Sequence, residues 1–233
     1  MADSLPAPEY LLQFDAVRLF ADRAVAVAPS FQVTQANGPT IVRICQQLEG
    51  IPLAIELAAA RVKILPIERI AQLLQSRFKL MDAESPPSGP PQETLRAAVE
   101  WSYTLMNAQE RTLLSRMSVF AGNCTVEAAR AVCGGDGIDE YAVPTLLGRL
   151  ADKSVVVAEQ RYGESRYRLL DTLRLYASGR LVSSGEADGI RARHAWYYLA
   201  LAEALEPELW GPGVVARMDR LEAEHDNLRA ALR

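Results

Sequence analysis

Apolar side chains recur every three or four positions along most of the chain, which is the spacing that places them on one face of an α-helix. Four such stripes precede residue 80, and each begins or ends near a proline or a glycine. Their members are Phe14, Val17, Phe20, Ala21 and Ala24; Ile41, Ile44, Cys45 and Leu48; Leu53, Leu57 and Ala60; and Ile67, Ile70, Leu73, Leu74 and Phe78. Because short amphipathic helices bury their stripes by packing together, we predict a four-helix bundle over residues 11–82, after an N-terminal tail at 1–10.

Prolines interrupt this pattern at residues 83–92. The segment contains Pro86, Pro87, Pro90 and Pro91. Proline removes a backbone donor and clashes with the preceding helical turn, so no helix or central strand tolerates this density. We therefore predict a linker between two domains.

The segment 93–170 combines helices with a hairpin. Helical stripes cover Thr94–Leu105, Ala108–Met117, Val126–Val132 and Pro144–Ala151, with Thr125 as a candidate N-cap. Two extended segments, Ser154–Ala158 and Arg166–Leu170, follow on either side of a turn. Helices followed by a two-stranded hairpin are the order of a winged helix, which we predict here.

Residues 171–233 return to helical periodicity. Asp171 is a natural N-cap for one helix, and a longer helix covers 186–205. A last helix, predicted to run from Gly213 to Arg233, carries the apolar stripe Val215, Met218, Leu221 and Leu228. The predicted fold class is therefore mostly α. We expect the last stripe to stay uncovered in this chain, which favours a homo-oligomer.

Charge and composition exclude several classes of protein. Of 233 residues, 25 are Lys or Arg and 29 are Asp or Glu, giving a formal net charge of −4. This balance argues against a general nucleic-acid or anionic-membrane surface, because both partners need a positive field. The N-terminus lacks the pattern of a signal peptide, and no uncharged stretch is long enough to span a membrane. We expect a soluble, cytoplasmic protein without a membrane partner.

Cysteine and histidine are too sparse for a metal or disulfide framework. Cys45, Cys124 and Cys133 form no C-x-x-C pair, so we interpret them as buried free thiols. The histidines are His194 and His225, and we interpret His194 as a packed residue beside aromatic neighbours. The carboxylates Glu222, Glu224 and Asp226 fall on what the pattern indicates is a solvated helix face. No catalytic residues and no metal ligands are predicted.

Nucleotide-binding signatures are also missing. A P-loop requires G-x-x-x-x-G-K-[ST] so that backbone N–H groups and a lysine surround the phosphates. None of the three lysines, Lys63, Lys79 and Lys153, follows a glycine. We therefore predict that this chain is not an enzyme by itself and holds no cofactor of its own.

The segment Gly50-Ile-Pro-Leu-Ala-Ile-Glu-Leu-Ala-Ala-Ala-Arg61 resembles a known motif. It is similar to the G-x-P region of the signal-transduction ATPases with numerous domains, called STAND ATPases, which include the NB-ARC proteins and bacterial regulators of the AfsR and LuxR-associated type. Further blocks in the same order resemble the bacterial branch: Ala16–Phe20, Thr94–Tyr103, Leu114–Gly122, Leu150–Ser154, Tyr167–Asp171 and Leu221–Ala231. The resemblance covers almost the whole chain.

The resemblance implies a place for each segment in a larger protein. Residues 11–82 would be the helical lid that follows a nucleotide-binding domain, and residues 171–233 would begin a TPR-like helical-repeat region. Gly50 and Pro52 would lie on the adenine side of ATP or ADP bound by the parent protein. The partners would be that missing domain and the further repeats. Pro52 equally suits the first turn of a helix with no ligand nearby.

Asp171 is the position that the resemblance assigns to a winged-helix sensor. Plant and animal relatives carry a Met-His-Asp signature there, in which the histidine approaches a phosphate. This chain has Leu169, Leu170 and Asp171 instead. Because the histidine is absent, the aspartate remains chiefly as a helix cap.

Two functions of different classes remain open. The first is a regulatory module that couples the nucleotide state of a STAND ATPase to sensor repeats. The alternative is a DNA-binding winged-helix transcription regulator. Taking Thr125–Cys133 as the recognition helix, we find only Glu127 and Arg130 as charged residues, and in the hairpin Glu159 and Glu164 offset Arg161, Arg166 and Arg168. This composition does not favour DNA as a partner of the segment.

Overall fold

The computed structural model of the chain describes residues 7–82, 91–161, 163–206 and 214–232, the side chains of 76–93 and 214–217 excepted. This part of the chain is mostly helical and contains one small antiparallel sheet, which confirms the predicted fold class. It divides into two compact units. The first comprises Met1–Met106 with Asp152–Ser154, and the second comprises Asn107–Ala151 with Val155–Arg233.

The first unit is a helical bundle. Its helices are α1 (Pro8–Leu11), α2 (Asp15–Val27), α3 (Gly38–Gln47), α4 (Pro52–Ala59, followed by a 3₁₀ turn at Ala60–Lys63), α5 (Ile67–Asp82) and α6 (Pro91–Thr104). Helix α2 packs against α4, and α3 packs against α5. The largest apolar side chains of the core are fully buried; they include Phe20, Ile41, Ile44, Leu48, Ile55 and Ile70. Most described members of the four predicted stripes lie in this core, but Phe14 is half exposed, and the fully buried Ile55 belonged to none of the stripes.

Helix α6 also belongs to the first unit. It packs against α4, and Ala98 and Trp101 lie in the same apolar core. The buried Arg61 donates to the hydroxyl and the carbonyl oxygen of Ser102. The sequence placed this helix in the winged-helix domain from residue 93, whereas the units divide after Met106. Of the predicted linker, residues 83–90 lie outside the described residues, and Pro91 already begins α6.

The second unit contains seven α-helices, a 3₁₀ turn at Glu140–Ala142 and three strands in the described residues. They are α7 (Ala108–Met117), β1 (Cys124–Thr125), α8 (Val126–Cys133), α9 (Val143–Asp152), β2 (Val157–Arg161), β3 (Glu164–Arg168), α10 (Asp171–Ser183), α11 (Ala187–Leu205), α12 (Val214–Ala223) and α13 (His225–Ala231). The strand order is β1-β3-β2, and both pairs are antiparallel. Cys124 faces Tyr167 in one pair, and Val157 faces Arg168 in the other.

The hairpin begins three residues later than the sequence predicted. Val155 and Val156 are buried, and their backbone N–H groups donate to the Leu150 carbonyl (3.1 and 3.4 Å). Ser154 has a left-handed backbone (φ 59°). The chain therefore turns at this point instead of extending, and the apolar run fills the core before the strand starts.

Two helix ends also differ from the prediction. Leu170, not Asp171, is the N-cap of α10, and Asp171 is its first residue. The last helix is broken into α12 and α13 at Glu224, whose side chain is drawn into the interior. Thr125 caps α8 as predicted, accepting a hydrogen bond from the Ala128 N–H (3.1 Å).

The helices after the hairpin cover the first part of the second unit. Helix α10 packs against α7, α11 packs against α8, and α13 packs against α11. In the residues that the structure describes, no helix is both long and apolar enough to cross a membrane.

Candidate nucleic-acid interface

Helices α7, α8 and α9 with the hairpin β2–β3 form a helix-turn-helix followed by a wing. In a helix-turn-helix the second helix enters the major groove of DNA. In the pair formed by α8, the turn and α9, the second helix is α9, which ends just before the hairpin. The sequence analysis took α8 as the candidate recognition helix, and the two helices differ in what they expose. Helix α8 is packed under α11 and exposes only Glu127 and Ala131.

Helix α9 is sharply two-faced. Its apolar side chains Val143, Leu146, Leu147 and Leu150 are fully buried. The outward side presents Pro144, Thr145, Gly148 and Arg149. Small side chains let a helix backbone approach a groove closely, and arginine can bond both guanine bases and phosphates. This face is therefore compatible with DNA, with Arg149 as its cation.

The turn that precedes α9 is held by a buried arginine. The Arg116 guanidinium, from α7, donates to the carbonyl oxygens of Cys133 (2.9 Å), Gly135 (2.7 Å) and Asp136 (3.0 Å). It also pairs with both oxygens of Glu186 (2.7 and 3.2 Å). One buried side chain thus bonds three carbonyl oxygens of the turn, of which the Cys133 oxygen lies in the interior.

A second arginine also bonds this turn. Arg193, from α11, donates to the Gly134 carbonyl (2.7 Å) and forms an ion pair with Asp136. The backbone is left-handed at Gly135, Asp136 and Gly137 (φ 77°, 46° and 91°), which glycine adopts at little cost. The two arginines that hold the turn come from α7 and α11, and no local pattern in the turn indicates them. Together they hold the turn at residues 133–136, which a 3₁₀ turn at Glu140–Ala142 separates from α9.

The wing carries balanced charge. Arg168 pairs with Glu159 across the hairpin (3.0 Å), and Arg161 and Glu164 are exposed on either side of its turn. Arg166 was counted as a wing cation in the sequence analysis, and this was wrong. It lies on β3 but points inward, and only 3% of its side chain is exposed.

Arg166 belongs to a buried polar network. Its guanidinium pairs with Glu224 and with the Asn123 side-chain oxygen. Glu224 also accepts from the Tyr198 hydroxyl (3.1 Å), and burial with this carboxylate raises the pKa of Tyr198 above its ordinary value. Asn227 joins the same network. Its amide donates to the Asn123 carbonyl (2.8 Å) and accepts from the Ala121 N–H (2.9 Å).

The network corrects the interpretation of Glu224 as a solvated carboxylate. The sequence analysis grouped it with Glu222 and Asp226, which are exposed. Along a helix Glu222 and Asp226, four positions apart, share one face, whereas Glu224, two positions from each, points to the opposite side. The spacing itself therefore separates Glu224 from the exposed pair, and its side chain meets Arg166 in the interior.

The residues that the resemblance singled out lie in two places. Gly50 (φ 70°) follows Glu49 (φ 53°) in a left-handed turn, and Pro52 opens α4 at its first position, as predicted. The turn is anchored because the Thr94 hydroxyl donates to the Glu49 carboxylate (2.9 Å). Gly50 and Pro52 are both exposed. Asp171 is exposed in the second unit, with one oxygen 3.4 Å from Arg174.

Comparison with known proteins gives a match for this region. Residues 106–182 match the family model of a winged helix-turn-helix domain. No solved structure matches the chain.

Longer relatives cover almost the whole chain. Proteins of Mycobacterium bovis and Mycobacterium tuberculosis named "Putative HTH-type transcriptional regulator" are 43% identical over 226 residues, which is 96% of this chain. An "Uncharacterized protein" of Mycobacterium tuberculosis is 42% identical over 191 residues, covering 80% of this chain and 48% of its own length. The chain spans about a quarter of the length of the first two relatives (25%). Residues 106–182 thus form a winged helix-turn-helix domain within a chain that is similar to part of these larger proteins.

Proposed function

We propose that this chain is the winged-helix and adjoining helical part of a transcription regulator, and that it contacts DNA through α9 and the β2–β3 wing. The observation that carries the proposal is the difference between the helices of the motif. Helices α7 and α8 are covered by α10 and α11, whereas the Thr145–Gly148–Arg149 side of α9 is exposed. The names of the relatives, which describe regulators and not enzymes, support the same role.

The charge of this surface sets the kind of binding that we expect. Arg149 stands on α9, while the wing pairs Arg168 with Glu159 and buries Arg166. Few phosphate contacts give a small electrostatic contribution, so affinity should be modest and should fall only slowly with salt. This revises the earlier expectation against DNA, which rested on the net charge of −4 and on the charges of α8 and the hairpin.

The test is binding of the chain to labelled duplex DNA, measured by fluorescence anisotropy at two salt concentrations. Duplexes would first be enriched from a random pool by the chain itself. Arg149→Ala should weaken binding to an enriched duplex about fivefold or more, the loss of one base or phosphate contact. Arg229→Ala removes an exposed arginine of α13 and serves as the matched control, with unchanged binding. Equal affinities of the two variants, or no enrichment at low salt, would overturn the proposal.

We further propose, from the G-x-P resemblance, that the first unit contacts a nucleotide-binding domain of a longer parent protein. The anchored left-handed turn at Glu49–Gly50 and the exposed Pro52 ring support this, because a rigid apolar wall without an N–H suits the face of a base. The relatives' greater length leaves room for such a domain. ATP and ADP would then bind the parent and not this chain.

The test of this second proposal compares nucleotide binding by this chain with nucleotide binding by a full-length relative. Calorimetry with ATP or ADP should show no stoichiometric site in this chain. In a full-length relative, replacing the proline that aligns with Pro52 by serine should weaken nucleotide binding. A tight site in the isolated chain, or an unaffected relative, would contradict the second proposal and leave the DNA proposal untouched.

A further inference from the structure

A cavity of about 620 Å³ in the second unit is partly open to solvent. Its walls come from the end of α7 and from α10, α11 and α13; they include Ser118, Leu181, Arg191, His194, Ala195 and Ala231. The volume falls in the range of small-molecule sites. Alanines of α11 and α13 leave the space open, and the lining combines an apolar wall with a few polar side chains.

His194 is the unusual member of this lining. The residue is 3% exposed, and its Nε2 atom has no hydrogen-bond partner. The ring packs against Phe120 (centroids 5.3 Å apart) and Tyr198 (4.7 Å). A buried polar atom without a partner destabilises the fold, because it has lost its hydrogen bond to water and gained none in return. A ligand group that bonds Nε2 would remove that destabilisation.

Arg191 supplies the charge at the same cavity. It stands three positions before His194 on α11, so the two side chains share one face of the helix. Its Nη1 lies 3.4 Å from Asp188, a long contact between two exposed side chains. A guanidinium has five N–H donors, so an acid group can still be bound at this position.

We propose that this cavity binds a small hydroxy acid, with the carboxylate at Arg191, the hydroxyl at His194 and the aliphatic chain against the alanines. A hydroxyl both donates and accepts, so it satisfies Nε2 in either tautomer of the imidazole. The site is independent of the proposed DNA contact, because none of its lining residues lies on α9 or the wing.

The test uses three matched probes: 6-hydroxyhexanoate, hexanoate and hexan-1-ol. In calorimetry with the full chain, 6-hydroxyhexanoate should bind saturably in the millimolar range. Each of the other two lacks one polar group and should bind about fivefold more weakly, the effect of losing one hydrogen bond. Absence of saturable binding by 6-hydroxyhexanoate, or equal binding of all three, overturns the proposal.

Variants assign the two contacts. Arg191→Gln, at an exposed position, should remove the advantage of 6-hydroxyhexanoate over hexan-1-ol, whereas Arg229→Gln should leave all three affinities unchanged. His194→Phe keeps the ring and removes both nitrogens, so the advantage of 6-hydroxyhexanoate over hexanoate should vanish. If His194→Phe does not fold, Arg191→Gln alone decides. Unchanged affinities in Arg191→Gln would overturn the site.

Discussion

Arg166 and Glu224 form an ion pair across 58 residues of chain, and each side chain is less than 5% exposed. It joins the central strand of the winged-helix sheet to the junction between α12 and α13. The remaining polar atoms around the pair are supplied by Asn123, Tyr198 and Asn227. A buried pair of charges is tolerated only when such hydrogen bonds complete it.

Removing one member of this pair should destabilise the second unit strongly. Glu224→Ala leaves the Arg166 cation buried without its partner, and we expect a loss of about 3–5 kcal/mol in the free energy of unfolding. Glu222→Ala, at an exposed position of α12, is the control and should change it by less than about 0.5 kcal/mol. Urea denaturation measures both.

The pair can also be replaced as a whole. The double variant Arg166→Met, Glu224→Leu removes both charges, so it should be more stable than Glu224→Ala alone. A double variant that is no more stable than the single one would show that the surrounding polar groups, and not the ion pair, are decisive.

Arg116 should control the turn before α9. Arg116→Lys keeps the charge but cannot reach Cys133, Gly135, Asp136 and Glu186 together, because its ammonium is a single point donor. We expect faster hydrogen exchange at Gly135 and Ile138, whose backbone groups bond each other in the turn. Amides of α3 in the first unit provide the internal reference. Unchanged exchange at both turn positions would show that Arg193, and not Arg116, stabilises the turn.

The burial of His194 predicts a loss of stability in acid. Desolvation lowers the pKa of its imidazole below the ordinary 6.5, against smaller opposite effects from Asn227 and Glu224. Below pH 6.5 the unfolded chain therefore binds a proton that the folded chain does not. The contribution of the neutral His194 to the free energy of unfolding is therefore fully present above pH 6.5. It declines as the pH falls toward the lowered pKa of His194, by up to about 1.4 kcal/mol per pH unit.

The measurement compares variants across pH. The free energy of unfolding of wild type minus that of His194→Phe should fall between pH 7 and pH 5. The exposed His225, replaced in His225→Gln, should give a flat difference. A flat difference for His194→Phe as well would mean that the imidazole is solvated in the folded state.

The three thiols should be inert in the folded protein. Burial raises the pKa of Cys45 to about 11 and that of Cys133 to about 12, and it raises the pKa of Cys124 as well. At pH 8 they carry almost no thiolate, which is the form that reacts with disulfide reagents. Ellman's reagent should therefore label three thiols in denaturant and very little in the native state, with Cys45, the least deeply buried, first. Rapid native labelling of Cys124 or Cys133 would contradict the burial.

The features of the fold that depend on residues close together in the sequence were predicted correctly. Stripes such as Ile41, Ile44 and Leu48 are helical and buried as expected, because 3.6-residue periodicity is a local signal. The winged-helix order was also predicted from the succession of helices and hairpin. Strand β1 was missed, since two residues show no alternation and their pairing with Tyr167 and Arg166 is remote in sequence.

The candidate interface was harder to predict for the same reason. Whether α8 or α9 faces outward depends on α11, which follows α8 by more than fifty residues and covers it. The inward direction of Arg166 depends on Glu224, which no local pattern connects to it. Counting Arg166 among the hairpin charges therefore overestimated the number of cations that the wing can bring to a phosphate.

The network around Arg166 also defines the smallest piece of the second unit that can fold with full cooperativity. The winged-helix match ends at residue 182, yet Asn123 and Arg166 complete their hydrogen bonds only with Glu224 and Asn227. A fragment cut at the end of the match would carry a guanidinium whose partner had been removed, together with the apolar face of α8 that α11 normally covers. Such a fragment would behave as an expanded, aggregation-prone chain, so a deletion series should show a sharp gain in stability when the C-terminal boundary passes residue 227.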